Sequence, residues 1–350
     1  MPLHNPPLKD RPEVLSDWVE LRTIADENGV FPLARLQRYW DTKRETESTD
    51  VEGKSKDEEY TDEDGISGSD SDKFIDAIAD ELSERATILG DAYPFEFTSS
   101  GNRFQLKSKL TLGGWTYIFC LLFEHHKEGE LWTGNWLPNI TNVERDLFQA
   151  CATLAIAGKI QGCAISFGWP RPDGNPPFRA KLKEVYALFG EGQTRDSILP
   201  GASPMVKDEE IDVIAWQPRP DKTAGTIYVL GQVASGDNWT GKSIKGSIDY
   251  FHTAWFSTRP PSTPSPAIFI PHAVPPIGEG NRKERMALLT EKFGMIFDRM
   301  LLPLMTQVGF TLGLEKRVNF HIERMDDTGK IEDWVTQQIM DLRRSGAVPL

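Results

Sequence analysis

Apolar positions in the first ninety residues recur every three or four places. Val14, Leu15, Trp18, Leu21 and Ile24 mark helical spacing within 12–41, and Phe74, Ile75, Ile78, Leu82 and Ile88 mark a second helix over 73–90. YPFEF, NRFQLKSKL and the apolar run from Tyr117 to Phe123 then read as strands. Together they predict an N-terminal α+β region over residues 1–130. From residue 140 the order is regular. Thr141 with Glu144 three places on forms a capping box, and Val143, Leu147, Cys151, Leu154 and Ala155 form the apolar stripe of the helix it opens. Asp146, Gln149 and Thr153 lie on a polar flank of that helix. A strand, GCAISF (162–167), is stopped by GWPRPDGNPP, and Phe178, Leu182, Val185, Tyr186 and Phe189 space out a further helix. IDVIAW (211–216) and TIYVLGQVAS (226–235) predict two strands joined by a wide turn rich in Gly, Pro and Asp. A helix from Asn238 to Trp255, a strand AIFIP (267–271), a long helix over 282–302, a strand VNFHIE (318–323) and a final helix over 331–344 complete the pattern. Residues 131–350 therefore predict an α/β domain whose mixed central sheet is flanked by helices.

Composition narrows the setting. The chain has 350 residues, 39% hydrophobic and 26% charged, and no apolar run approaches the roughly 20 residues of a membrane helix, so no membrane association is expected. The opening MPLHNPPLKDRPE has no basic and apolar leader pattern, and the three cysteines show no C-x-x-C spacing, so a reducing cytoplasm is the expected location. Formal net charge is −13, which on its face argues against a nucleic-acid partner. Between Glu45 and Asp72, however, twelve acidic residues face only Lys54 and Lys56, a local −10 that leaves −3 for the remainder. That segment is poor in apolar residues and reads as a solvated loop. The body of the chain is close to neutral.

One stretch supports two incompatible readings. Gly236–Ser243, GDNWTGKS, satisfies the phosphate-loop pattern G-x-x-x-x-G-K-[ST] and lies between a predicted strand and a predicted helix, as nucleotide binding requires. Such a protein also needs a carboxylate at a following strand end for its magnesium, and IFIPH offers none. The other reading begins at GQVAS. Glu210 and Asp212 alternate on one predicted strand, and Gln232 and Ala234 on the next, so an antiparallel pair would bring Asp212 to Gln232 with a divalent ion between them. Carboxylate and amide oxygens are suitable ligands for magnesium or manganese. The remaining candidates point mostly to structure. Adjacent His125 and His126 would diverge on a helix, and Trp216, Trp239, Phe251 and Trp255 read as sheet-covering residues. NRKER (281–285) reads as a solvated helix start and His272 as a polar strand end. Arg171, in FGWPR, reads equally as a phosphate contact or a turn residue.

The run NVERDLFQACATLA, GCAISFGWPR, EEIDVIAW, GQVAS and the helix after it resembles the core of the PD-(D/E)xK, or restriction-endonuclease-like, phosphodiesterase superfamily over about residues 140–256. The resemblance implies a metal-dependent endonuclease acting on DNA, with Asp212 as the metal-binding acid. It places Gln232 at a position some members fill with Gln, and Gln149 or Asp146 at the helix-borne acid. The metal set it implies is Asp212, Glu210, Gln232 and Gln149 around Mg2+ or Mn2+. The chain departs from the pattern at Ala234, where the family carries Lys. Lys242, on the predicted following helix, is the expected replacement cation, with Lys245 and Arg171 as further phosphate contacts. Bacterial defence against foreign DNA, with a partner protein regulating activity, is a role the resemblance would suit. A catalytically degenerate nuclease fold that binds nucleic acid or a partner subunit remains open, as does the phosphate loop.

Overall fold

A computed structural model describes residues 11–40, 42, 68–127, 131, 136–172, 174–200, 207–277, 281–315, 317 and 320–345. The acidic segment falls outside these, apart from its last residues, 68–72, which begin a helix. The chain forms two compact units, one of residues 1–109, 125–138 and 336–350, the other of 110–124 and 139–335.

The first unit holds helices α1 (Pro12–Ala25), α2 (residues 34 to 40) and α3 (Gly68–Leu89) and a three-stranded antiparallel sheet in the order β1 (Val30–Pro32), β3 (Arg103–Leu106), β2 (Phe95–Phe97). The helical spacing expected across 12–41 is thus interrupted: Gly29 adopts φ +66 and the chain turns into β1. Arg85 of α3 is buried between Asp17 (2.6 Å) and Glu20 (3.0 Å) of α1 and also binds Glu81 at 2.7 Å. These polar positions, invisible to apolar periodicity, tie the two helices together. His125, which sequence spacing alone leaves without a partner, bonds Asp17 at 2.9 Å.

The second unit is a mixed α/β fold. Its central sheet has five strands in the order β10 (Met295–Phe297), β9 (Pro264–Phe269), β7 (Tyr228–Val233), β6 (Val213–Trp216), β4 (Cys163–Ser166). β4, β6 and β7 run antiparallel in turn, whereas β7, β9 and β10 are parallel. A two-residue strand β5 (Gln193–Thr194) pairs with β8 (Phe256–Thr258) at the side. Helices α4 (Leu112–Glu124), α5 (Asn142–Ile160), α6 (Phe178–Phe189), α7 (Ile248–Trp255), α8 (Arg282–Phe293), α9 (Leu302–Leu314) and α10 (Thr328–Arg344, its last turns in the first unit) supply the remainder. The mixed sheet flanked by helices is the architecture expected from the pattern. Among the described residues no helix is long and apolar enough to cross a membrane.

Several elements differ from expectation, among them the helix expected from Asn238, which begins only at Ile248. The run Tyr117–Phe123 is part of helix α4, opened by Thr111, whose hydroxyl accepts from the Gly114 amide at 3.2 Å. A short apolar run fits a buried helix as well as a strand, and this helix, buried on nearly every side, belongs to the second unit rather than to a region ending at 130. The helix expected over 282–302 stops at Phe293 because Gly294 takes φ +80, where a Cβ would overlap the Pro266 carbonyl oxygen, and Met295–Phe297 then joins the sheet. VNFHIE contributes, in its described part, one parallel bridge from Ile322 to Ala164.

Helix α5 is the core element that matters for the site. Its capping box is formed as expected, with the Thr141 hydroxyl accepting from Val143 and Glu144 accepting from the Thr141 amide at 2.7 Å. It crosses α9 where Gly158 meets Gly309: a Cβ on Gly309 would overlap the Leu154 carbonyl oxygen, and one on Gly158 the Met305 carbonyl oxygen. Both obstacles are backbone and cannot rotate away. Gly158→Ala and Gly309→Ala should each destabilise by about 2–3 kcal/mol, overpacking outweighing the gain of roughly 1 kcal/mol in helix propensity. Urea unfolding measures this, and a neutral or stabilising result would show that the helices do not cross so closely.

Candidate functional site

The expected acid lies where β6 begins. Asp212 is half-buried and precedes Val213, which faces Gly231 across the ladder; its amide donates to the Gly231 carbonyl at 2.8 Å. Its Oδ2 accepts from the Val233 amide at 2.7 Å, so the carboxylate is clamped to the end of β7 beside Gln232. Oδ1 accepts no hydrogen bond among the described residues.

Gln149 of α5 comes to the same place. Its Nε2 donates to the buried Ser166 hydroxyl at 2.7 Å, which turns Oε1 away toward Gly168. A Cβ on Gly168 would overlap both Gln149 Oε1 and Asp212 Oδ1, so the two oxygens border the same small space. Gly168 is needed there for that close approach. Gln232, 7% exposed, has its Oε1 buried without a hydrogen-bond partner. Asp212 Oδ1 and Gln149 Oε1 thus border one space and Gln232 Oε1 is buried on the adjoining strand, none of them with a donor among the described residues, and such unmet demand is unusual in a folded interior.

Electrostatics add to it. Loss of solvent pushes the Asp212 carboxyl up to about 7, helped by the charges of Asp208 and Glu210 and opposed by the Val233 amide and Lys242. An all-oxygen set of one carboxylate and two amides suits a hard divalent ion, and such an ion would meet the demand that the protein's own donors leave open. The residues therefore fit Mg2+ or Mn2+, which Asp212 and Gln149 would hold, with Gln232 the further oxygen the adjoining strand offers.

Other expected site residues are placed differently. Glu210 is not on the strand face with Asp212: the chain takes φ +54 at Glu209 and +65 at Glu210, a left-handed turn that breaks the alternation. The exposed Glu210 carboxylate accepts from Ser247 at 3.4 Å. Asp146 is taken by Arg324 through contacts of 2.6 and 2.9 Å, which leaves Gln149 as the residue α5 offers. Lys245 donates to the Glu291 carbonyl at 2.7 Å, at the C-terminal end of α8, where a cation is well placed structurally. Arg171 is buried against Phe167, Trp169 and Phe178, its guanidinium 5.0 Å from the Phe167 ring, and donates to the Pro176 and Lys207 carbonyls. Its guanidinium is thus held by aromatic rings and backbone carbonyls.

Lys242 does not sit on a helix. Asp237–Gly241 and Ile244–Gly246 form two 3-10 turns with Lys242 extended between them, and α7 starts only at Ile248. Ser243 Oγ donates to the Lys292 carbonyl at 2.9 Å. The phosphate-loop reading needs a helix N-terminus at this point, and the segment does not form one. The Lys242 amide donates to the Trp239 carbonyl at 2.9 Å; its ammonium makes no hydrogen bond or ion pair among the described residues, yet acts electrostatically on Asp212. Ala234 is fully buried with Ile268, Ile270 and Phe293, so a lysine there would enter an apolar cluster. Residues missed in the sequence are Gly168, Ser166 and Asp208, the last near enough to raise the Asp212 carboxyl. GWPRP carried the Gly168 signal only as a turn.

Comparison with known protein families, with curated proteins and with solved structures finds no match.

The raised Asp212 carboxyl has a signed consequence. The ordinary carboxyl releases its proton near pH 4, this one near 7, so in metal-free protein the site's contribution to stability is complete below about pH 4 and is lost as pH rises through 7. Asp212→Asn should therefore match wild type at or below about pH 4, diverge from it as pH rises, and melt roughly 3–6 °C higher at pH 8. Mn2+ should raise the melting temperature of wild type at pH 8 and leave the variant unmoved. Parallel pH profiles for the two proteins would contradict the desolvated acid.

Proposed function

We propose that the second unit is a metal-dependent phosphodiesterase that cleaves DNA, with Asp212, Gln149 and Gln232 holding Mg2+ or Mn2+. The observation that carries this reading is the unmet acceptor set itself: a half-buried carboxylate beside the Gln149 amide oxygen, a buried unpartnered Gln232 oxygen on the adjoining strand, and a lysine in electrostatic range whose ammonium has no partner among the described residues. Topology supports it. The order helix α5, antiparallel β4–β6–β7, then a crossover through α7 into parallel β9 is compatible with a restriction-endonuclease-like core.

Bound there, the ion would polarise a phosphoryl oxygen and lower the pKa of a coordinated water. Asp212 supplies the anionic ligand, held in orientation by the Val233 amide. Gln149 is held by Ser166, which itself accepts from Arg324 at 3.3 Å, so its oxygen is pre-set rather than searching rotamers. Lys242 provides the positive charge for the developing phosphoryl oxyanion that Ala234 cannot, and its freedom from other partners leaves it able to reach a phosphate. With amides at two positions, the ligand set carries one negative charge, which predicts weak metal affinity and a preference for Mn2+ over Mg2+.

A second reading draws on those same amides: a nuclease fold that binds DNA or a partner subunit without cutting. The three free cysteines are buried and suit a reducing compartment such as the cytoplasm, and a role against foreign DNA under control of a partner would be compatible with either.

Supercoiled plasmid incubated with Mg2+, Mn2+ or chelator separates the two. Cleavage should require the metal, fall at least about 1,000-fold in Asp212→Ala, and fall roughly 100-fold in Lys242→Ala. Gly168→Ala, which fills the space between the two oxygens, should abolish metal-dependent cutting while the protein stays folded. DNA binding without cutting under any metal would favour the non-catalytic reading.

A further inference from the structure

Most cations near the site are committed elsewhere. Arg324 is held by Asp146 and Asp327, Lys181 by Glu184 (3.0 Å) and Glu323 (2.6 Å), Arg171 by aromatic rings and carbonyls, and Lys245 by a helix end. Arg145 is different. It lies one helical turn before Gln149 on α5, so the two share a face of the helix. Its guanidinium is exposed, packs 5.8 Å from the Phe123 ring and donates through Nη1 to the Ser235 hydroxyl at 2.9 Å. Among the described residues it has no acidic partner.

Ser235 fixes where that charge sits. It follows Val233, the residue whose amide clamps Asp212, by two positions, about 7 Å of extended chain. Arg145 therefore stands beside the acceptor cluster, on the side opened by the end of β7, with its charge uncompensated and one donor resting on a neutral hydroxyl. Exchanging that hydroxyl for a phosphate oxygen would convert a neutral-acceptor hydrogen bond into a charge-assisted one, with the guanidinium fork able to take two oxygens.

We infer that Arg145, positioned by Ser235, is a phosphate-binding subsite that grips the DNA backbone next to the phosphate lying at Asp212. The inference rests on the nuclease reading for what lies at Asp212, but the subsite itself requires only DNA binding. Arg145 is a binding residue, separate from the charge Lys242 gives to the reaction. It also bears on the overall acidity of the chain: a nearly neutral body needs few phosphate contacts if they are concentrated at the site.

The test is fluorescence anisotropy of a labelled single-stranded DNA oligonucleotide across a salt series, in an Asp212→Asn background, with and without Arg145→Ala, Arg145→Gln or Arg145→Lys, each checked for unchanged melting temperature. Loss of one phosphate contact should weaken binding by about 10-fold and reduce the salt slope by about 1 in Arg145→Ala and Arg145→Gln. Arg145→Lys should keep the slope and recover part of the affinity. Unchanged affinity and slope in folded Arg145→Ala and Arg145→Gln would overturn the subsite. Plasmid cleavage by the Asp212 parent, run alongside, separates the two claims. Cutting with Arg145-independent binding removes the subsite alone. Arg145-dependent binding without cutting removes the nuclease reading alone. No DNA binding by the parent removes both.

Discussion

Everything at the site depends on how closely helix α5 is seated. On one side its backbone meets that of α9 at Gly158 and Gly309 with no room for a methyl group. Earlier in the helix, Gln149 is drawn by Ser166 against Gly168, again with no room for a methyl group. The crossing at Gly158 and Gly309, where the obstacles are backbone, restrains the helix itself, and the Ser166 hydrogen bond fixes the Gln149 side chain. Gln149 Oε1 is therefore kept against Asp212 Oδ1, although two acceptors have no attraction for one another.

That geometry sets folding against function in a definite way. Desolvation and the nearby charges of Asp208 and Glu210 oppose ionisation of Asp212, and the Val233 amide and Lys242 compensate only in part. The metal-free protein answers by keeping a proton near neutral pH, which costs stability at higher pH. A divalent ion would replace that proton and also satisfy the two amide oxygens, so binding and local stabilisation are one event. In the proposed reaction, substrate positioning falls to cationic side chains without an acidic partner among the described residues. Lys242 and Arg145 keep their charge free because the chain has arranged other partners for Arg324, Lys181, Lys245 and Arg171.

The strands and helices of the second unit were legible where periodicity and caps coincide, as at Thr141–Glu144 and IDVIAW. They were illegible where one residue overrides a pattern. Gly294 ends a helix that apolar spacing alone would continue, and α4 shows that seven apolar residues do not distinguish strand from buried helix. Asp212, Gln149 and Gln232 could be singled out as oxygen-bearing residues at strand and helix positions. The pairing of Asp212 with Gln232 followed from strand alternation and the approach of Gln149 only from the resemblance, because that approach depends on the absent side chain of Gly168. Glu210 was misplaced by two left-handed residues in succession, which no alternation rule anticipates. Lys245 and Arg171 look free in sequence because their acceptors are backbone carbonyls brought from elsewhere in the chain. Arg145 escaped notice for the opposite reason: its value lies in lacking an acidic partner.

The central claim is that Asp212, Gln149 and Gln232 together form one cation site, and electron paramagnetic resonance of Mn2+ titrated into the purified full chain tests it most directly. Wild type should bind one Mn2+ at this site, Asp212→Asn should lose it, and Gln149→Leu and Gln232→Leu should each weaken it by about 10-fold or more. Absence of bound Mn2+ in wild type, or binding that none of the three substitutions alters, would contradict the account.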